Sequence, residues 1–105
     1  MAHRRGLRFR LFRKDLPGRP DLVFAKWKTA LFVNGCFWHR HIGCPKASFP
    51  KTNVLFWKRK LARNVERDKE NGRDLTKMGW RVLTIWECET RDPTVVEKRL
   101  ADWFQ

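Results

Sequence analysis

Residues 21–39, DLVFAKWKTALFVNGCFWH, decide how this chain folds. Asp21–Ala25 and Thr29–Val33 are short apolar segments of strand length, joined by the tight connection Lys26-Trp27-Lys28. Strands this apolar are buried on both faces, so both sides of the sheet need cover. After Val33 the pattern stops. From Gly35 to Lys51 no helical or strand period holds, and this irregular stretch carries most of the unusual side chains.

Outward from that centre the elements fall into place. Upstream, Leu7, Phe9 and Leu11 alternate with Arg8 and Arg10, the period of a half-buried strand. Leu16–Pro20, with two prolines and a glycine, breaks regular structure just before Asp21. Downstream, Thr52 or Asn53 can cap a long helix. Val54, Trp57, Leu61 and Val65 repeat at helical spacing, Gly72 is a candidate interruption, and Gly79 a stop beyond Met78. Arg81–Trp86 alternates again, and Pro93-Thr94 opens a last helix with Val96, Leu100 and Trp103 facing inward. These elements predict one α/β domain over residues 1–105, a mixed sheet flanked by helices. Two helices barely cover such a sheet, so this chain is expected to lack an N-terminal helix.

Charge narrows the function. Lys and Arg number 24 against 11 Asp and Glu, a net charge of +13. Residues 1–65 hold 16 of the bases and only two acids, Asp15 and Asp21. A field concentrated in one segment attracts a polyanion and steers its approach, and interleaved aromatic residues favour nucleic acid. A basic RNA- or ribosome-associated protein fits the composition too, but gives Asp21 and His39 no task. No apolar run reaches membrane-spanning length and no secretory signal follows Met1, so a cytoplasmic, nucleoid-associated monomer is expected.

Three constellations carry chemistry. Cys36, His41, Cys44 and the distant Cys88 use every cysteine in the chain and suit a closed tetrahedral zinc site; small buried cysteines are the plainer reading. Asp21 sits in a strongly basic segment, where a carboxylate beside a phosphodiester costs affinity unless it holds a hard cation. A turn-capping Asp, or one paired with Arg19, explains the spacing equally well. His39, between two zinc-ligand candidates, is placed to point away from them and take a proton from water. Asp68 shares a helical face with Asn64 and can orient it, the alternative being a surface pair with Arg67 or Lys69. Phe37-Trp38 and Phe56-Trp57 offer rings that could enter a base step, or could pack in the core, Phe56 above all.

Taken together, Leu16–Asp21, Gly35–His39, Phe56-Trp57, Asn64–Asp68, Gly79–Leu83 and Trp86–Cys88 resemble, in order, the motifs of the very short patch repair (Vsr) mismatch endonucleases. The resemblance implies a restriction-endonuclease-like fold and Mg²⁺-dependent nicking of double-stranded DNA at T·G mispairs, with repair proteins as further partners. It implies Asp21 and the backbone carbonyl of Val33 as Mg²⁺ ligands, and His39 as general base oriented by Asp68. Cys36, His41, Cys44 and Cys88 match the structural Zn²⁺ ligands. Phe37, Trp38 and Trp57 match the wedge that opens the duplex, with Arg19 and Asn34 as further DNA contacts. Asn34 replaces a histidine common in the family, and His41 and Cys44 are one residue further apart than in some members. The family's N-terminal helix, which bears an acidic residue, has no counterpart ahead of Met1. The resemblance therefore also admits a non-catalytic, zinc-stabilised DNA-binding module.

Overall fold

The computed structural model describes residues 10–11 and 15–104. Four strands form one mixed sheet in the order β1 (Arg10–Leu11), β2 (Leu22–Phe24), β3 (Thr29–Asn34) and β4 (Arg81–Trp86). The first two pairings are antiparallel, and β3 and β4 run parallel from Thr29 opposite Arg81 to Asn34 opposite Trp86. A parallel pair needs a crossover, and the helix α1 (Val54–Lys77) supplies it. The helix α2 (Pro93–Trp103) closes the chain. Leu7 and Phe9, in the expected first strand, and any segment ahead of Met1 lie outside the described residues.

Strand alternation sends successive side chains to opposite faces, and each face has its own helix. On one side Phe24, Leu31, Leu83 and Ile85 pack with Leu100, Val96 and Trp103 of α2. On the other, Val23, Ala30 and Leu16 pack with Leu75 of α1 and with Trp80, while Phe32 and Val82 close over them. Burying each large apolar side chain contributes roughly 1.5–3 kcal/mol, and these two thin layers hold the sheet to its helices. The expected sandwich is therefore present, with one helix per face.

Several local expectations need correction. The strand after Pro20 is shorter than Asp21–Ala25, because Ala25–Trp27 forms a 3-10 turn closed by Lys28 in the left-handed region. Asn53 precedes α1 with φ of 52°, and its side chain makes no capping bond. Val54 is exposed, whereas Leu61 and Leu75 are buried, so the buried face of α1 begins about two turns after its first residue. Gly72 does not interrupt the helix. Thr76 Oγ1 donates to its carbonyl at 2.8 Å, and packing at Leu75 outweighs the roughly 1 kcal/mol that glycine costs inside a helix. The last helix starts as expected, with the Asp92 carboxylate accepting from the Thr94 amide at 3.0 Å. Among the described residues no helix is long and apolar enough to cross a membrane.

Candidate active site and metal centre

The segment leaving β3 coils immediately. His39 N donates to Gly35 O at 3.1 Å and His41 N to Cys36 O at 3.0 Å. These turns aim Cys36 and His41 to one side and His39 to the other. On the first side, the ligand atoms of Cys36, His41, Cys44 and Cys88 all lie within 4.8 Å of one another. A tetrahedral zinc site with sulfur ligands at about 2.3 Å has edges of about 3.8 Å, so the donor set fits in number, chemistry and spacing. The parallel pairing of β3 with β4 is what brings Cys88 from the end of one strand to Cys36 at the end of the other.

Neighbouring groups fix this cluster. The His41 ring stacks on Trp86 at 4.3 Å and 10°. Glu87 Oε1 accepts from the Cys36 amide at 3.4 Å. Glu89 Oε1 accepts from the Trp86 amide at 3.0 Å, and both its oxygens take Arg99 of α2 at 2.8 and 2.7 Å. The sulfurs are electrostatically unequal. The Lys46 backbone amide holds the Cys44 thiol below its ordinary value. Desolvation, then the nearby Cys36 and Cys44 sulfurs, push Cys88 up to about 11. Cys88 in particular resists ionisation unless a shared cation compensates its neighbours.

On the opposite side of the coil lies a cleft of about 260 Å³ over the α1 face of the sheet. Asp21 enters it through a tight turn. Arg19 N donates to Leu16 O at 3.1 Å, with Pro17 and then Gly18 at the two central positions. Gly18 has φ of 77°, and a Cβ there would meet Asn71 Nδ2 and Phe32 Cε1 at 3.1 Å. That position thus demands glycine twice, for its dihedral and for its space. Asp21 N then donates to Leu31 O at 3.0 Å, and Asp21 Oδ2 accepts from the Val33 amide at 2.7 Å. The carboxylate is locked to β3 and is not paired with Arg19.

His39 reaches the same cleft, and its Nδ1 lies 2.6 Å from Asp68 Oδ2 of α1. Asp68 thus engages the imidazole, in place of the surface pair with Arg67 or Lys69. One turn earlier, Asn64 Nδ2 donates to Trp38 O at 3.4 Å and ties the coil to the helix. Arg19 and Asn34 line the cleft, as does Val33, whose link to Asp21 runs through its amide. Asn71 and Thr84 also line it and were not singled out from the sequence. Asn71 was within reach, since Asn64, Asp68 and Asn71 continue one helical face at steps of four and three.

The rings gather beside the cleft. Phe37, Trp38 and Trp57 meet pairwise at centroid separations of 5.3–5.9 Å. Trp38 is exposed and Phe37 and Trp57 are half-buried. Phe56 stands 5.3 Å from Trp57 and is exposed, so the core reading fails for it.

Known proteins match this sequence. The family model for DNA mismatch endonuclease Vsr matches residues 1–46. A type II nicking enzyme of Xanthomonas oryzae (V.XorIIP) is 46% identical over 100 residues, covering 95% of this chain and 73% of the relative. The chain belongs to the Vsr family of DNA mismatch endonucleases. The DNA mismatch endonuclease Vsr of Escherichia coli is 42% identical over 105 residues, covering 94% of the present chain and 66% of that enzyme. A type II nicking enzyme of Neisseria meningitidis (V.NmeAIP) is also 42% identical, over 90% of this chain and 67% of the relative. Within this Vsr-family chain, the coil Gly35–His39 lies between a metal-binding type of Cys/His cluster and a cleft holding an acid-oriented histidine.

Proposed function

We propose that this Vsr-family chain is a Mg²⁺-dependent endonuclease that nicks one strand of double-stranded DNA at T·G mispairs, on a restriction-endonuclease-like fold. The observation that carries the reading is the 2.6 Å pair of His39 Nδ1 with Asp68, on the wall of a cleft that also holds Asp21. Asp68 holds Nδ1 and orients the ring, which leaves Nε2 to take the proton of a water attacking phosphorus. Asp21 has one oxygen on the Val33 amide and the other available to a hard cation, with the Val33 carbonyl as the second ligand that the family resemblance implies. Mg²⁺ suits so sparse a protein donor set, because it fills its octahedron with water and phosphate oxygens. When bound, it polarises the phosphate and acidifies water. Arg19 and Asn34 are placed to hold phosphate oxygens at the cleft wall.

Phe37, Trp38 and Trp57 form the wedge. Their joined rings can enter a base step and unstack it, which costs least where the pair is already mismatched. Cys36, His41, Cys44 and Cys88 hold Zn²⁺ and fasten the coil that carries both the wedge and the base.

Nicking of end-labelled duplexes tests the reading. A T·G duplex with Mg²⁺ is expected to be nicked on one strand, a matched duplex far more slowly, and neither without Mg²⁺. His39→Ala and Asp21→Ala are expected to lower the rate at least about a hundredfold while the protein still binds the duplex. Equal nicking of both duplexes removes the mismatch specificity. Binding without nicking under every condition would leave a DNA-binding module in place of an enzyme.

A further inference from the structure

The N-terminal half of α1 carries a row of cations that the cleft does not use. Arg59, Arg63 and Arg67 recur at steps of four residues, with Lys60 three before Arg63, and all four are exposed. With Phe56 and Asn64 they line a groove of about 470 Å³. Among the described residues none of the four stands within ion-pair distance of a carboxylate.

The helix is divided by charge. Residues 54–65 hold four cations and no acid, while residues 66–77 hold four of each. A helix selected only for solubility gains by interleaving signs at i and i+4, and loses when like charges stand there. The positive end of the helix dipole also favours carboxylates, yet the first turn of α1 has none. Local stability is forgone on one half only, and that half adjoins the ring cluster. The groove does not end in solvent either. Asn64 and Arg67 also line the concavity that holds His39, Asp68 and Trp38, so the cationic row runs into the cleft.

We infer that the Phe56–Arg67 face of α1 is the track for the sugar–phosphate backbone of the DNA strand flanking the cleft. Arg59, Lys60 and Arg63 each neutralise a phosphodiester. Arg67, at the junction, is a positioning residue that holds the backbone next to the reacting phosphate. This inference rests on the endonuclease reading.

The test is duplex affinity by fluorescence anisotropy without Mg²⁺, across 50–200 mM salt. The triple variant Arg59→Gln/Lys60→Gln/Arg63→Gln is compared with Lys69→Gln/Arg73→Gln/Lys77→Gln, which removes the same charge from the other half of the helix. Each lost phosphate contact lowers the slope of log affinity against log salt by about 0.9. The first variant is therefore expected to lose about 2.7 from the slope, and the second to keep the wild-type slope. Equal change in both, or none in either, overturns the track. Circular dichroism checks folding; should the triple variant fail to fold, Arg59→Gln alone is expected to lower the slope by about 0.9, and no change overturns the track equally. For Arg67, Arg67→Gln is expected to lower kcat for nicking more than it raises KM, with partial rescue in Arg67→Lys; a change in KM alone removes the positioning role. Wild-type protein that nicks while the triple variant keeps its slope removes the track and leaves the endonuclease. Wild-type protein that binds no duplex removes both.

Discussion

The two sites on either side of Gly35–His39 are built in opposite ways. The Cys/His cluster is closed, with four donors converged on one point, each drawn from turns that other groups hold in place. The cleft is open and incomplete. It offers one locked carboxylate, one oriented imidazole, and room for what the substrate and its cation bring. A site that maintains the fold gains by being finished before any ligand but its ion arrives. A site that performs chemistry gains by leaving coordination positions to the reactants. Proximity in sequence is therefore no guide to placement: Cys36 and His39 are three residues apart and face different sites.

The strongest way to break that contrast is at Cys36. Structural zinc contributes an apparent 10–16 kcal/mol in small zinc domains, comparable with the whole stability of a domain this size. Cys36→Ser is expected to abolish the cooperative thermal transition and the bound metal measured by elemental analysis. A variant that melts like the parent would show that the cluster does not maintain the fold.

A smaller effect is expected on the cleft side. Asp68→Asn keeps the shape but weakens the hold on His39, and partners of this kind are typically worth about ten- to a hundredfold. Single-turnover nicking should fall by that factor, with melting temperature and metal content unchanged. A loss of metal or of fold together with activity would mean that the two sites are not separable.

The mildest expected change sharpens the cluster side. Glu89 joins the turn bearing Cys88 to α2 through Arg99, in a partly exposed pair. Glu89→Gln should cost about 1 kcal/mol in denaturant unfolding while zinc remains bound. Loss of the ion would make Glu89 part of the metal site's support to a degree the geometry does not indicate.

How far the sequence alone could reach differs between the two sites. β3 was legible from its apolar composition, β4 from its alternation, and the ligand cluster because no cysteine stands outside it. Asp21 was ambiguous, since only the folded chain places its carboxylate on the Val33 amide. The pairing of His39 with Asp68 joins a coil to a helix 29 positions away, which spacing could suggest but not decide. Val54 and Phe56 were left open for a related reason. Helical period tells which residues share a face, but not that the first turns of α1 lie beside the ring cluster and not over the sheet.

The parallel pairing of β3 with β4 has a consequence for how the molecule comes into being. Thr29 meets Arg81 only after the whole crossover helix has been made, a contact of long sequence separation and therefore slow to form. Cys36, His41 and Cys44 leave the ribosome early, but Cys88, their fourth companion, comes after β4. A nascent chain thus exposes three of the four ligand side chains while residues 45–87 are made, and cannot close the cluster. The coil that bears His39 gains this anchor only after Cys88 has been made, so a cutting activity that needs the closed cluster would be withheld from chains that stop short of β4.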